Sequence, residues 1–598
     1  MVELIKIPVV SAYYFIHIMF DKWMNWEMMC SLIVTALVGI QLAKRNVKIG
    51  KRWKLSTFIW LAVLYLGIVV WVFQCGGLEK GIYDIILHVV YYIGAILVVL
   101  QAGNAGWNSF AEFSERETVY TSGAFYKKIN IGLIVSFLLS LIPIIMISPY
   151  TFARADDYSF GYRAHLALES TGSFLEVIKA AIVVVAEKYM EWQGTYSSIF
   201  FMAMQPAVFD EKLYRLVPMF FIIIIALASY FFIKNVLVDF LHADKTMSRT
   251  CIFAYIFLAI QCIPVKQSAF FWYNGALHYI VAHCLLLCML VFLLRIAQGK
   301  KDKWNYVGAV LTSIYIGGSN YVTLVGTLLI YLTIFFGLTV TKSWKKYKGI
   351  ASIGVVYLVA AAINILAPGN FKKMGTAQGY GLIKSFVYAF TQSLEYILGE
   401  WMHWTIFALV VVSIPVLWNA VKKIKFNFPC PFIVIIYSWC YMASLFFMPL
   451  FTKATIDMGR LKNIMFLEWI LWILIDIGYL FGWIQRKYFV EETKAVCGNE
   501  KKYYTKVFGA ILGMAALSFI AEPHQYTTTF ALETLQDEKL QEYSQDYWYN
   551  IEVLEGEEKE VLLKSLDNIP EFLYPEECEV WHSGLRFFYG KDKIYFEE

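Results

Sequence analysis

Charged residues are scarce in this chain. Only 16% of its 598 residues are Asp, Glu, Lys or Arg, 59% are hydrophobic, and the mean hydropathy is +0.57. A soluble domain carries about 25% charged residues. Apolar runs of membrane-spanning length make up the difference, so the composition excludes an ordinary soluble protein and predicts a polytopic membrane protein.

Several short motifs are also missing from the sequence. The ten cysteines include no Cys-x-x-Cys pair, so neither a disulfide framework nor a zinc site is predicted. No Gly-x-x-x-x-Gly-Lys-Ser/Thr loop occurs, which argues against an ATP-driven pump. The first apolar run, about residues 4–20, lacks a basic leader and a small-residue cleavage site, so we expect a retained helix there.

Hydropathy predicts about fifteen membrane spans. They divide the chain into an N-terminal module of about four helices (1–128), a core of about 11 helices (129–521) and an exterior domain (522–598). The predicted fold class is therefore an all-α polytopic membrane protein with a small α/β exterior C-terminal domain. The predicted spans are 4–20, 24–43, 56–74, 82–101, 129–148, 216–234, 250–264, 276–296, 305–318, 320–340, 349–366, 403–420, 430–449, 463–484 and 505–521.

Basic residues orient these spans. Dense Lys and Arg clusters recur in alternate loops, for example at 44–54, 300–303 and 342–348, and the positive-inside rule assigns these loops to the cytoplasm. The tail from Glu522 holds 19 acidic and six basic residues, a formal charge of −13, so the rest carries +18. An acidic tail outside a basic cytoplasmic face agrees with this orientation. We expect a plasma-membrane protein in contact with the lipid bilayer, and no nucleic-acid partner.

Two adjacent acids, Asp156 and Asp157, follow the predicted span 129–148. The orientation places them outside the cell, where they could act as a general base, as metal ligands or as a clamp for a polyol. Downstream, the stretch Ser173 to Trp192 has apolar residues at helical spacing and predicts an amphipathic helix on the membrane surface. Its alternative is a buried or transmembrane helix.

Other polar and aromatic side chains are predicted to gather on the same side. Helix starts with Lys or Arg suit phosphate groups, and Trp and Tyr faces suit sugar rings. Loops usually contain such residues, and a histidine on an apolar face, such as His278, is more often a core residue than a base. Glu468 and Asp476 lie within predicted spans and have either a functional or a helix-pairing role. The converging residues are Trp272, Tyr273, Asn274, His278, Asn320, Asn370, Lys372, Lys373, Asp457 and Arg460.

This arrangement resembles the GT-C superfamily of membrane glycosyltransferases, and most closely an uncharacterised bacterial family with an Asp-Asp-Tyr first outer loop. The resemblance covers about Ile129 to the C-terminus and leaves out the first four helices. It departs at Thr195, where Arg is expected, and at Asn320-Tyr321, where an acid would be unsurprising. The landmarks are Asp156-Asp157-Tyr158, the Trp192-Gln193-Gly194-Thr195-Tyr196 element, Trp272 to Tyr279, Pro368-Gly369-Asn370, Arg460 and Trp581 to Ile594.

The resemblance implies a GT-C core that transfers a sugar from a polyprenyl-phosphate donor to a cell-envelope glycan or lipid acceptor. One of Asp156 and Asp157 would be the base of an inverting displacement, and which one stays open. Asp157 is the candidate ligand if Mg²⁺ or Mn²⁺ takes part, since oxygen ligands suit these ions. Lys372, Lys373 and Arg460 would stabilise the donor phosphate. The implied substrate contacts are Tyr158, Trp192, Trp272, Tyr273, Asn274, His278, Asn320 and Asn370.

Three other functions compete with this one. A transporter or flippase of a lipid-linked saccharide would want charged residues near the middle of the membrane and an internal repeat. A polymerase or ligase of lipid-linked glycans would rely on a large outer loop rich in Arg and His. In a structural scaffold the acid pair would be incidental.

Overall fold

The computed structural model is mostly helical (79%), which confirms the helical class. Most of the predicted N-terminal module, Asp457 and the predicted span 505–521 lie outside the described residues. The acid pair and the C-terminal helices and strands belong to the described residues of one compact unit, made of Gly123–Ile397, His403–Arg486 and Phe508–Glu598. The structure describes residues 123–300, 302–374, 379–402, 404–422, 424, 426–456, 459–488, 523–566, 569–570, 573 and 579–597.

Seven of the described helical segments are long and apolar enough to cross a membrane. They confirm a membrane protein at that level, whereas the larger predicted number of spans stays a prediction. The spans predicted at 250–264 and 305–318 correspond to helices of only 17 and 15 residues. The seven segments are Tyr126–Tyr150, Glu211–Phe240, Tyr273–Ala297, Tyr321–Val340, Lys348–Ile365, Pro431–Lys453 and Arg460–Lys487.

The α-helices are numbered here in chain order. Several continue into short π-helical segments, at Asn235–Phe240, Leu277–Val281 and Tyr396–Trp401. The helices are α1 Gly123–Ile147, α2 Asp157–Thr171, α3 Phe174–Glu191, α4 Tyr196–Met202, α5 Val217–Lys234, α6 Lys245–Gln261, α7 Lys266–Phe270, α8 Tyr273–Ala276, α9 Ala282–Ala297, α10 Lys303–Gly317, α11 Tyr321–Val340, α12 Lys348–Ile365, α13 Pro368–Met374, α14 Leu382–Glu395, α15 Trp404–Lys422, α16 Pro431–Lys453, α17 Arg460–Tyr488, α18 Thr527–Leu535, α19 Lys539–Glu555 and α20 Glu579–Phe588.

Polar side chains at the N-caps define where several of these helices begin. Asp244 accepts hydrogen bonds from two main-chain N–H groups at the start of α6, and Asp302 caps α10 through the N–H of Trp304. Such caps satisfy donors that have no partner within the helix. Asn320 caps α11 in the same way, so the sequence Gly317-Gly318-Ser319 separates two helices rather than kinking one.

The interior of the bundle is packed by apolar and tyrosine side chains from α9 to α12. Leu286, Met289, Ile316, Tyr331 and Tyr357 belong to this buried cluster. By contrast, α1 turns most of its apolar side chains outward, as expected for a helix that faces lipid rather than water.

The segment after the acid pair folds as three helices, α2 to α4. The helix predicted at 173–192 is observed as α3, and it buries only Val177, Ala181 and Val184, one stripe at helical spacing. Two further apolar side chains of α3, Phe174 and Ile182, are more than half exposed. This pattern suits a helix at a lipid surface.

The C-terminal part forms the predicted small α/β fold in its simplest version. Helices α18 and α19 precede a strand, β1 (Glu560–Leu563), and α20 leads into a second strand, β2 (Lys593–Phe596). The two strands pair in parallel, with Val561 opposite Ile594. A parallel pair needs a crossover, and α20 supplies it.

Candidate functional site

The site is built around the short loop between α1 and α2, Thr151 to Asp157, which we call the Asp loop. Asp156 lies half-buried at the N-cap position of α2, and Asp157 is the first residue of that helix. Helix N-termini favour negative charge because their N–H groups point towards it. The chain therefore delivers both carboxyl groups to one helix start.

Asp156 is held by a residue from a distant part of the chain. Asn274, in α8, donates its Nδ2–H to Oδ1 of Asp156 at 3.0 Å. Asn274 is itself 1% exposed, and its Oδ1 has no hydrogen-bond partner among the described residues. A buried amide oxygen without a partner costs free energy, so this position suits a ligand that brings a hydroxyl donor.

Asp157 is fully buried and bonded to protein on one side only. Its Oδ2 accepts the hydroxyl of Tyr214 at 2.5 Å and the main-chain N–H of Arg154 at 2.9 Å. The Tyr214 hydroxyl in turn accepts the main-chain N–H of Tyr273 at 2.9 Å. Asp157 thus ties the Asp loop to the segment that carries Asn274, and its other oxygen, Oδ1, has no partner among the described residues.

Burial and neighbouring groups affect the pKa values of the two acids differently. The buried position of Asp157 and the neighbouring Asp156 carboxyl raise the pKa of Asp157 from 3.8 to about 8, despite the hydrogen bond from Tyr214. Burial also raises the pKa of Asp156, but the hydrogen bond from Asn274 and the positive charges of Arg460 and Lys188 oppose that rise. The surroundings of Asp157 therefore favour its protonated form at neutral pH, whereas Asn274 and the positive charges beside Asp156 favour the charged form of that acid.

Arg460, at the start of α17, brings a positive charge to Asp156. Its guanidinium carbon lies 5.2 Å from the ring centre of Trp272 and 5.9 Å from that of Tyr279. Cations over aromatic faces are attracted by the ring quadrupole, which holds the guanidinium at this place. The structure thus places Arg460, Trp272 and Asn274 near Asp156.

A second cation reaches the site from α13. Lys373 Nζ lies 4.3 Å from the ring centre of Trp192 and 3.4 Å from Oε1 of Gln193. Burial, together with the charges of Lys453 and Arg460, lowers the pKa of Lys373 to about 8. Lys372 is exposed, so of the two predicted lysines Lys373 is the one that lies with the other site residues.

Asn370 joins the loop after α3 to α13. Its Oδ1 accepts the main-chain N–H of Gly194 at 3.0 Å and the hydroxyl of Tyr321 at 2.5 Å. A side chain at Gly194 would place its Cβ only 2.0 Å from the main-chain oxygen of Asn364. The close approach explains why glycine stands there, and it places Trp192 beside Lys373.

Three of the predicted substrate residues serve the protein's own framework. Asn320 bonds to the N–H of Thr323 and donates to the main-chain oxygen of His278. His278 is buried edge-on to Tyr279, and its Nδ1 has no hydrogen-bond partner among the described residues. Tyr158 is fully buried against the C-terminal domain, and its hydroxyl lies 2.7 Å from that of Tyr547. A fourth predicted substrate residue, Tyr273, donates its main-chain N–H to the hydroxyl of Tyr214.

Sequence reasoning missed Tyr214, Arg154 and Glu211. Tyr214 lies 57 positions after Asp157, in the charged stretch from Asp210 to Arg215, and nothing in the local pattern distinguishes it. Arg154 is buried and donates from its guanidinium to the main-chain oxygen of Phe271 at 3.3 Å. The position of Arg154 two residues before an acid pair was a usable signal in the sequence, whereas its burial is visible only in the structure.

The donor set offers little for a divalent cation. Mg²⁺ prefers six oxygen ligands, and the described residues contain no cluster of three or more His, Cys, Asp or Glu side chains. Asp157 supplies one oxygen that already accepts two hydrogen bonds and another that is buried. The predicted Mg²⁺ or Mn²⁺ site at Asp157 stays a prediction, and the chemistry below uses only protein groups.

The chain matches no protein-family model, and it shows no significant similarity to a curated protein or to a solved structure.

Proposed function

We propose that this protein is a membrane glycosyltransferase, which moves a sugar from a polyprenyl-phosphate donor to a hydroxyl group of a cell-envelope glycan or lipid acceptor. The observation that carries the proposal is the half-buried Asp156 carboxyl group, which Asn274 holds by a hydrogen bond and which lies near the cation Arg460. Beside it, Oδ1 of Asn274 has no hydrogen-bond partner among the described residues. Sugar transfer needs a base for a hydroxyl and positive charge for a leaving phosphate, and both are within this group.

Asp156 is the base in this proposal. Its neighbours Asn274 and Arg460 favour the charged form, whereas Asp157 with a pKa of about 8 favours its proton, and Asp156 is the less buried of the two acids. A pKa raised by burial brings a carboxylate nearer to the pH at which it works. Asp157, neutral and bonded to Tyr214 and Arg154, positions the loop. The acceptor hydroxyl donates to Asp156, and a second hydroxyl of the acceptor pairs with Oδ1 of Asn274.

The reaction is a single displacement at the anomeric carbon. The acceptor oxygen forms a bond to that carbon while its proton passes to Asp156. The bond between the anomeric carbon and the phosphate oxygen breaks on the opposite side, so the configuration inverts. The departing polyprenyl phosphate takes the electron pair, and Arg460 and Lys373 stabilise the charge that develops on it.

An apolar groove next to the site supports a lipid-linked donor. Its volume is about 380 Å³, and the main-chain oxygen of Phe201 in its wall lies 3.5 Å from the hydroxyl of Tyr273, the neighbour of Asn274. A groove lined this way suits a hydrocarbon chain. The apolar wall includes Ile182 and Val185 of α3, Phe200 and Phe201 of α4, and Leu311 and Ile314 of α10.

The extracytoplasmic location of the site agrees with a polyprenyl-phosphate sugar as the donor. The distribution of Lys and Arg favours a multi-pass plasma-membrane protein with its site on the extracytoplasmic side. Soluble nucleotide sugars are cytoplasmic, so an enzyme with its site on the extracytoplasmic side needs a lipid-carried sugar.

The experiment is reconstitution in proteoliposomes with polyprenyl-phosphate hexoses and envelope glycans, followed by mass spectrometry of the product. We expect the wild-type chain to transfer the sugar with inversion at the anomeric carbon, and we expect Asp156→Asn to lose this transfer. Hydrolysis or transfer that survives Asp156→Asn in a folded protein would contradict the proposal.

One observation favours transport of a lipid-linked saccharide instead. His283 and Glu468 form a buried pair at 2.8 Å between α9 and α17, inside two of the candidate spans. Ionisable residues within a membrane often mark a transport path. A flippase would move a fluorescent lipid-linked saccharide across the vesicle membrane without forming a new glycosidic bond, which separates the two functions in one assay.

A further inference from the structure

The Asp loop adopts a strained conformation immediately before Asp156. Ala155 has a φ of +52°, in the left-handed region that residues with a side chain seldom occupy. Strain of this kind persists only where surrounding contacts impose it, and it concentrates at functional sites. The contacts that impose it here come in part from the far end of the chain.

Tyr547, on α19 of the C-terminal domain, contacts the Asp loop directly. Its ring centre lies 4.3 Å from that of Phe152, and its hydroxyl lies 3.4 Å from the main-chain oxygen of Ala153. The same hydroxyl is 2.7 Å from the hydroxyl of Tyr158, one residue after the acid pair. A single side chain therefore holds both ends of the short segment that contains Asp156.

Glu211 anchors this contact to the membrane bundle. Its carboxylate accepts the hydroxyl of Tyr547 at 3.1 Å and the hydroxyl of Tyr589 at 2.8 Å. We call Tyr158, Glu211, Tyr547 and Tyr589 the tyrosine cluster. Glu211 stands just before α5, so the cluster connects the Asp loop, the bundle and the C-terminal domain through buried hydrogen bonds, which are strong where water is excluded.

The helix α20 completes the attachment on the outer surface of α2. Phe588 packs edge-on against Tyr158 and stacks on His165 with ring centres 3.9 Å apart. A Cβ at Gly584 would lie 2.8 Å from the main-chain nitrogen of Ser159, so the two backbones are in close contact. The C-terminal domain is thus seated against the first turn of the helix that carries the acid pair.

We propose that Tyr547 is a positioning residue for Asp156, and that the tyrosine cluster makes the C-terminal domain part of the active centre by holding the Asp loop in its strained form. The proposal rests on the proposed function for the role of Asp156. Tyr547 acts through the loop, because its hydroxyl lies against Ala153, Tyr158 and Glu211, so its loss affects the chemical step rather than the binding of the donor.

The test compares Tyr547→Phe with Tyr549→Phe in the full-length protein. The first variant keeps the ring on Phe152 and removes only the hydroxyl, whereas Tyr549 is an exposed tyrosine on the same helix and serves as the matched control. Hydrogen–deuterium exchange of the peptide 151–160 measures the loop without any substrate. We expect faster exchange there in Tyr547→Phe, by about 3- to 10-fold, since one net hydrogen bond corresponds to that range, and no change in Tyr549→Phe.

Kinetics with the donor then separate positioning from plain stability. In Tyr547→Phe we expect kcat to fall about tenfold with an unchanged KM for the donor and a thermal unfolding midpoint near that of the control. Tyr589→Phe removes only a bond to Glu211, so its effect on loop exchange should be smaller than that of Tyr547→Phe.

Two results have distinct meanings. If loop exchange and kcat of Tyr547→Phe equal those of Tyr549→Phe, the positioning role is wrong. If loop exchange rises while even the wild-type chain transfers no sugar, the cluster does hold the loop and the proposed glycosyltransferase function is the part that fails.

Discussion

Asn substitutions at Asp156 and Asp157 should reduce kcat to very different extents, although the two residues are adjacent. Asp156→Asn removes the proposed base and keeps the size of the side chain. General base catalysis contributes about 10²–10⁴-fold, so kcat should fall by that factor, which corresponds to about 3–5 kcal/mol in the barrier. The KM of the donor should change little, because Arg460 and Lys373 are untouched.

Asp157→Asn should reduce kcat less than tenfold near neutral pH. The amide oxygen can replace Oδ2, which accepts both Tyr214 and the N–H of Arg154, and the amide nitrogen then occupies the place of Oδ1. The variant therefore imitates the protonated carboxyl that a pKa of about 8 maintains in the wild-type protein. Asp157→Ala, which also removes the hydrogen bonds, should be far more damaging.

The pH dependence of stability supplies an independent check. The pKa of Asp157 in the folded protein lies above its ordinary value of 3.8, so the folded state favours the neutral form. The stability that this group provides is fully present below about pH 4 and is lost as the pH rises to about 8. In Asp157→Asn the decline of the unfolding midpoint between pH 5 and 8 should be smaller than in the wild-type protein.

The assay is single-turnover transfer in proteoliposomes from pH 6 to 9, together with thermal unfolding in detergent. If Asp157→Asn loses as much kcat as Asp156→Asn at pH 7 while both proteins fold, the assignment of base and positioning residue is refuted. If Asp156→Asn keeps full activity, Asp156 is not the base.

Three further substitutions test the framework. Gly194→Ala would place a Cβ 2.0 Å from a main-chain oxygen, so we expect poor folding or loss of the unfolding transition in thermal melts. Gly132→Ala is the control and should be neutral or stabilising, because a Cβ there meets no described atom within 4 Å. Glu468→Ala removes the carboxylate that pairs with buried His283 and should destabilise the folded protein by about 3–5 kcal/mol. Glu468→Gln keeps a hydrogen bond and should destabilise it clearly less, so equal losses of stability in the two variants would contradict an energetic role for the pair. Ala155→Gly relieves a positive φ and should leave stability unchanged or raise it by about 1 kcal/mol, and a marked loss would show that the backbone there is unstrained.

Some parts of the architecture were predictable from local sequence. Long apolar runs must bury their backbone polar groups within helices in lipid, which is why the helical class and the membrane spans follow from composition. The amphipathic helix at 174–191 was predictable because Phe174, Ile178, Ile182, Val185 and Tyr189 recur at helical spacing. Only the structure showed that the stripe buried against protein is Val177, Ala181 and Val184. The tight Gly317-Gly318-Ser319 connection was visible as a break in the same kind of pattern.

The site was predictable only where chemistry alone pointed to it. Asp156, Arg460 and Trp272 stood out because charge and large aromatic groups at helix ends are informative in an apolar chain. Asn320 was a weaker inference, since an asparagine before a helix is most often a cap, which is what the structure shows. Tyr214 gave no local signal, because its importance comes from a contact over 57 positions of sequence.

The sequence by itself determined that this is a helical membrane protein with two acids after a hydrophobic helix, since hydrophobicity and periodicity are local properties. Only the tertiary structure decided that the two acids differ. Asp157 is buried and bonded to Tyr214, and its pKa is raised to about 8, whereas Asp156 is bonded to Asn274 and lies near the positive charge of Arg460, which both favour its charged form. The physical reason is that a pKa depends on burial and on neighbouring charges, and those neighbours come from segments that only folding brings together.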